Sequence, residues 1–304
     1  MDSIIANNLK KSYGNTIAIE NISFEIKENE LFGFIGPDGA GKTTLFRILT
    51  TLLIPDNGTA EVCEMNTVSD FKKLRQILGY MPGRFSLYQD LSVEENLAFF
   101  ATIFGTTIEE NYDLIKDIYS HIEPFKKRPA GKLSGGMKQK LALSCALIHK
   151  PRVLILDEPT TGVDAVSRKE FWQMLKNLQQ KNITIIVSTP YMDEASMCDR
   201  VALIQKGHIM TIDTPRKIIS RFGEALYAIR SDRLYKLKND LLNFSNCRSA
   251  HLFGQYIHYT GKDKVNSKLL NDYLLKNNHF NIEINPIEPG IEDCFMDLML
   301  ANNN

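Results

Sequence analysis

The chain has 304 residues, and its 36 Lys plus Arg balance 36 Asp plus Glu to a net charge of zero. That balance argues against a general binder of nucleic acid or of membrane surfaces, which needs a basic excess, so any anion site must be local. An apolar fraction of 43% is ample for one large or two modest domains with real cores. Cys63, Cys145, Cys198, Cys247 and Cys294 are scattered without C-x-x-C spacing and read as free thiols in a reducing compartment. Met1-Asp2-Ser3-Ile4-Ile5 does not read as a signal peptide. No apolar stretch approaches the ~20 residues that cross a bilayer, so if the protein works at a membrane another polypeptide spans it.

In chain order, Ile4–Leu9 and Asn15–Ile19 read as short strands around a Ser12-Tyr13-Gly14 turn, and Ile22–Ile26 alternates as a third, half-buried strand. Tyr13 could offer its ring to a nucleobase, although an exposed turn tyrosine is by itself no site. Leu31–Ile35 is an apolar run of buried-strand type, and Leu45–Leu53 has helical spacing ended by Pro55. Between them stands Gly36-Pro37-Asp38-Gly39-Ala40-Gly41-Lys42-Thr43-Thr44, which matches the phosphate-binding pattern G-x-x-x-x-G-K-[ST] in its required strand–loop–helix setting. The glycines let backbone amides approach a polyphosphate, the helix start adds a positive dipole end, Lys42 supplies a point charge for the β- and γ-phosphates, and the Thr43 hydroxyl suits Mg²⁺.

Further along, Thr59–Val62 reads as a strand, Ser69–Gln76 as a helix capped by Ser69, and Ile77–Met81 as a strand ended by Pro82-Gly83. The pattern is helical from Ser92 to about Lys150: a capping box opens one helix at Ser92, Ile108–Ile122 forms another, and Ser134-Gly135-Gly136 opens an apolar third with a second anion-friendly start. Val153–Leu156 is a buried strand that delivers Asp157-Glu158 to the sheet end where open α/β folds place ligands. Asp157 suits a Mg²⁺ ligand; Glu158 suits orienting and deprotonating an attacking water. A helix over Ser167–Lys181, a strand over Ile183–Ser188, a short helix over Asp193–Cys198, a hairpin around Lys206-Gly207 and a closing segment at Lys217–Phe222 follow. Beyond Gly223 a β-α-β-β-α-β order suggests a ferredoxin-like sandwich without a catalytic constellation, and His251, His258 and His279 are too scattered for a metal.

With Leu133-Ser134-Gly135-Gly136-Met137 between the phosphate loop and Asp157-Glu158, residues 1 to about 220 resemble the ATP-binding subunits of ABC transporters. The resemblance implies an α/β P-loop NTPase, an ABC-type nucleotide-binding domain over 1–222 with a helical subdomain at about 84–150, followed by an α+β accessory domain over 223–304. It implies ATP and Mg²⁺ as cofactors. Tyr13 corresponds to the aromatic residue stacked on adenine, and Ser134, Gly135 and Gly136 to the signature that caps a partner's ATP. Gly162-Val163-Asp164 corresponds to the loop that crosses the dimer interface, and Phe85-Ser86-Leu87-Tyr88 through Asn96 is similar to the segment that meets the membrane subunit. The tail around Glu288-Pro289-Gly290 is similar to that of subunits serving ABC-2-type exporters, which implies integral-membrane permease partners, no nucleic acid, and a cytoplasmic location on the inner face of the cell membrane.

Two positions depart from the family pattern: Gly83 stands where a Gln contacting Mg²⁺ and water is expected, and Pro190 where a His contacting the γ-phosphate is expected. Proline has neither side-chain donor nor backbone N–H. The expectation is therefore a site that binds Mg·ATP but hydrolyses it slowly or not at all, in a heterodimer with a competent ATP-binding chain in preference to a homodimer. Rival readings are a soluble ABC-type ATPase acting on ribosomes or DNA, and a non-hydrolytic regulatory subunit. A small-molecule kinase leaves the Leu-Ser-Gly-Gly segment unexplained.

Overall fold

The computed structural model describes residues 2–83 and 87–301. It divides into two compact units, Met1–Pro215 and Arg216–Asn304, each considered by itself.

The first unit opens with a long hairpin, β1 (Asp2–Tyr13) and β2 (Thr16–Lys27). The two separate runs expected over 15–26 are one strand. The polar break between them is absorbed by bulging, with Asn8 and Asn21 in the left-handed region at φ 51° and 53°. Then come β3 (Leu31–Ile35), α1 (Lys42–Leu49), β4 (Asn57–Val62), the two-residue β5 (Met65–Asn66), α2 (Phe71–Ile77) and β6 (Leu78–Met81). The helical stretch holds α3 (Val93–Ile103), α4 (Ile108–Tyr119) and α5 (Gly135–Leu147); β7 (Val153–Asp157), α6 (Ala165–Gln179), β8 (Thr184–Thr189), β9 (Arg200–Gln205) and β10 (His208–Asp213) complete the unit.

Strands β2-β1-β4-β5 make an antiparallel sheet, and β10-β9-β3-β8-β7-β6 a second sheet, parallel except for the β10 edge. Every residue of β3, β7 and β8 is buried, the pattern of strands covered on both faces. Phe34 of β3 meets Phe24 of β2 at 5.0 Å and Phe46 of α1 at 5.7 Å, both edge to face, so the strand and helix on either side of the phosphate loop are locked to one core.

Several boundaries differ from expectation: the helix expected over Leu45–Leu53 is Lys42–Leu49, and three further differences have a local cause. Asp70, not Ser69, precedes α2, and its carboxylate accepts from Asn66 N and Ser69 Oγ rather than capping the helix. Helix α4 stops at Tyr119, and the chain turns through a 3₁₀ segment at Glu123–Phe125, where Pro124 disfavours continued helix. Helix α6 begins two residues early because Asp164 caps it.

The short α7 (Pro215–Ser220) straddles the division. In the second unit β11 (Leu226–Arg230), α8 (Leu234–Leu242), β12 (Cys247–Phe253), β13 (Tyr256–Gly261), α9 (Ser267–Lys276), β14 (Glu283–Ile287) and α10 (Ile291–Ala301) follow one another. The antiparallel order β12-β13-β11-β14 is the ferredoxin-like arrangement, built on a core that includes Ile229, Leu237, Ile257 and Tyr259.

Candidate active site

The phosphate loop leaves β3 at Ile35 and enters α1 at Lys42. Gly39 and Gly41 hold φ of 77° and 101°, conformations that side chains disfavour. A Cβ on Gly36 would lie 2.0 Å from Ile204 O, so this position admits only glycine. Gly36 N donates to Thr189 O at 3.2 Å and Ala40 N to Pro37 O at 3.2 Å. Pro37, Asp38 and Gly39 are exposed at the crest of the loop, while Thr43 and Thr44 are half-buried in the first turn of α1. Lys42 is only 3% exposed; its Nζ donates to Gly36 O at 2.8 Å and Pro37 O at 3.0 Å and lies 3.2 Å from Glu158 Oε1.

Asp157 and Glu158 reach the loop because β7 is one strand removed from β3 in the parallel sheet, with β8 between. Ser188 of β8 joins the pair: its hydroxyl donates to Asp157 Oδ1 at 2.6 Å and accepts from Glu158 N at 2.9 Å. Glu158 sits at φ 49°, a strained value for a non-glycine residue, held by that bond and by Glu158 N donating to Ser188 O. A Cβ on Gly83 would lie 3.2 Å from Asp157 O and 3.9 Å from Glu158 Cβ, so residue 83 stands directly beside the pair. Tyr80, one strand over, has its pKa pushed up to about 12, chiefly by burial and secondly by the Asp157 charge.

The remaining candidates form other groupings. Ser134 caps α5, accepting from Met137 N at 3.3 Å, and is exposed with Gly135. A Cβ on Gly136 would lie 3.1 Å from Ser167 Oγ, and one on Gly135 would lie 3.7 Å from Gly162 O, so the signature segment abuts the loop containing Asp164. Asp164 accepts from Val166 N and Ser167 N; these bonds, the Ser167 amide foremost, hold its carboxyl below the usual carboxylate range. Among the described residues no hydrogen bond joins this grouping directly to the phosphate loop. Tyr13, 46% exposed, pairs with Thr16 at the hairpin tip, and the same hairpin presses on the loop, where a Cβ on Gly41 would lie 2.4 Å from Ala18 O.

Phe85 and Ser86 lie outside the described residues. Beyond them, fully buried Asn96 of α3 fixes the chain: Tyr88 N donates to its Oδ1 at 2.9 Å, and its amide donates to Tyr88 O, Leu91 O and Ser92 O. A groove of about 680 Å³ opens between this region, α1 and α5, with Phe100, Ile103 and Phe104 on its apolar side and Arg47 and Arg75 among its lining. All five cysteines are free.

Sequence reasoning missed Ser188, Gln139 and Glu194. Gln139 of α5, 1% exposed, donates to Pro159 O at 2.6 Å; Glu194, 4% exposed, accepts from Thr160 Oγ1 at 3.1 Å and from Thr189 Oγ1. The signal available for Glu194 was a carboxylate beside Ala195 in a short segment between two buried strands, which alone does not reveal its partners.

A buried parallel sheet, a glycine loop running into a helix, and a carboxylate pair at a nearby strand end define a P-loop nucleotide-binding protein. Residues 19–161 match the family model described as ABC transporter. The probable multidrug ABC transporter ATP-binding protein YbhF of Escherichia coli is 40% identical over 222 residues, 70% of this chain but 37% of its own length. The Nod factor export ATP-binding protein I of Burkholderia lata is 36% identical over 242 residues, covering 78% of this chain and 80% of that protein. The linearmycin resistance ATP-binding protein LnrL of Bacillus subtilis is 35% identical over 222 residues, 72% of this chain and 71% of the relative. Among solved structures, cbiO1 from Clostridium perfringens superposes with a TM-score of 0.64 at 27% identity, over 72% of this chain and 91% of that one. The dimeric cassette MJ0796 bound to ADP and Pi gives 0.63 at 25% identity, over 69% and 98%. The chain belongs to the ATP-binding proteins of ABC transporters.

Proposed function

We propose that this chain is the ATP-binding subunit of an ABC-2-type exporter, held at the inner face of the cell membrane by integral permease subunits, and that its own ATP site turns over slowly. The observation that carries the reading is the buried Lys42 ammonium set among Gly36 O, Pro37 O and Glu158, at the foot of a loop whose glycines leave room for phosphates. Relatives named for multidrug transport, Nod factor export and linearmycin resistance support the export direction.

Thr43 and Asp157 would hold Mg²⁺. Among the described residues no group of three or more His, Cys, Asp or Glu could hold a metal, and one hydroxyl with one carboxylate suits an ion that shares its shell with phosphate oxygens. When bound, Mg·ATP supplies a γ-phosphoryl group open to in-line attack by water. Gly36 to Thr44 bind the phosphates, Lys42 leaving Glu158 to neutralise them; Tyr13 stacks on the base. Glu158, once released, orients the water and takes its proton. Ser134, Gly135, Gly136 and Asp164 act across a dimer on the partner's nucleotide.

Gly83 brings no side chain to the edge of Asp157-Glu158, and Pro190 brings no donor to the end of β8. Loss of one such donor costs about 10²–10³ in rate. The intact signature still serves a partner's site, so a heterodimer with a competent ATP-binding chain is the assembly that uses this sequence fully. The groove flanked by α3 is the surface offered to the permease. Affinity capture from detergent-solubilised membranes, run beside ribosome co-sedimentation, tests the assignment: a permease and a second ATP-binding chain are expected, and sedimentation with ribosomes in place of permease capture would contradict it.

A further inference from the structure

We propose that Glu194 is a positioning residue that couples this chain's own nucleotide site to its signature helix α5; the proposal rests on the nucleotide-binding reading above. Glu194 lies in the 3₁₀ turn Met192–Met197 that follows β8 and is 4% exposed. One carboxylate oxygen, Oε2, accepts from both Thr189 Oγ1 and Thr160 Oγ1, two hydroxyls with no solvent exposure. The other, Oε1, has no hydrogen-bond partner among the described residues, and the guanidinium of Arg168 on α6 stands 3.9 Å away, its face over the Tyr191 ring at 4.7 Å. A buried carboxylate left half-satisfied is costly, and such a group calls for a reason beyond packing.

Its contacts supply one. On one side, Thr189 receives the first amide of the phosphate loop through Gly36 N, and its neighbour Ser188 holds Asp157 and Glu158. On the other, Thr160 follows Pro159, whose carbonyl is held by Gln139 of α5 at 2.6 Å. Gly36, Thr189, Glu194, Thr160, Pro159 and Gln139 are therefore one unbroken buried chain from the phosphate loop to the signature helix. It is built of four hydrogen bonds and the Pro159–Thr160 peptide bond, the kind of contiguous network that carries coupling between sites. With glycine at 83, no side chain there offers a parallel route.

The test is amide hydrogen exchange of the full chain with and without Mg·ATP, on wild type, Glu194→Ala and Thr160→Val. In wild type, nucleotide is expected to slow exchange in the phosphate loop and to change it in the first turns of α5 by about fivefold or more. In both variants the phosphate loop is expected to respond as before while the α5 response falls below about twofold. Thr160→Val keeps the side-chain shape and the Glu194–Thr189 bond, so it decides the matter if Glu194→Ala does not fold. A wild-type α5 response retained in the folded variants, or absent from wild type while the loop responds, overturns the coupling alone. No response of the wild-type loop overturns the nucleotide reading and the coupling with it.

Discussion

Gly36 shows how narrowly a single position is defined. Its missing Cβ is replaced in space by Ile204 O, so Gly36→Ala must push a strand of the main sheet or deform the phosphate loop. A loss of about 3 kcal/mol is expected, read as a lower melting temperature together with lost Mg·ATP affinity. His149 makes a pH-dependent statement at the same scale. It stacks on Phe104 at 3.8 Å, and its Nε2 lies 3.0 Å from Leu78 O; burial pulls its pKa below the ordinary histidine value, partly opposed by that contact. As pH falls, the unfolded chain takes up this proton before the folded chain does. Stability present above about pH 6.5 is therefore lost on acidification, and His149→Gln is expected to reduce the difference in melting temperature between pH 7 and pH 5.

Among the elements, the loop before α3 depends on one buried amide. Asn96→Ala leaves the Tyr88 N–H without its partner and takes a second donor from three carbonyls that each keep a backbone N–H, and about 1–3 kcal/mol of stability is expected to go with it. Permease capture should weaken while Mg·ATP affinity stays near wild type, which nucleotide titration of the purified variant checks. The elements that sequence pattern revealed were those whose signal is local: the strand–loop–helix of the phosphate site, the Ser92 capping box, the apolar run that delivers Asp157, and the alternation of the second unit. What stayed hidden was set by contacts distant in sequence. Ser188 meets Asp157 and Glu194 meets Thr160 only because β7 and β8 are neighbours in the sheet, and no periodicity carries that information. The hairpin was misread for a related reason, since a bulge at an asparagine resembles a strand end until the partner strand is seen to continue past it.

At the scale of the whole molecule, the two units have cores of their own, one gathered around Phe34 and one around Tyr259, and the phosphate loop with Lys42, Asp157 and Glu158 lies in the first. The central claim concerns that first unit: it grips Mg·ATP through Lys42 yet lacks two of the groups that would speed attack on the γ-phosphate. The most direct measurement is single-turnover hydrolysis by the purified wild-type chain compared with a Gly83→Gln, Pro190→His double variant, alongside nucleotide titration of both. A Cβ at 83 requires Asp157 O to give by only a few tenths of an ångström, so the double variant is expected to fold. The account predicts similar Mg·ATP affinity for both and hydrolysis faster by about 10² or more in the double variant. Rapid hydrolysis by the wild-type chain alone, unchanged by the two substitutions, would contradict it.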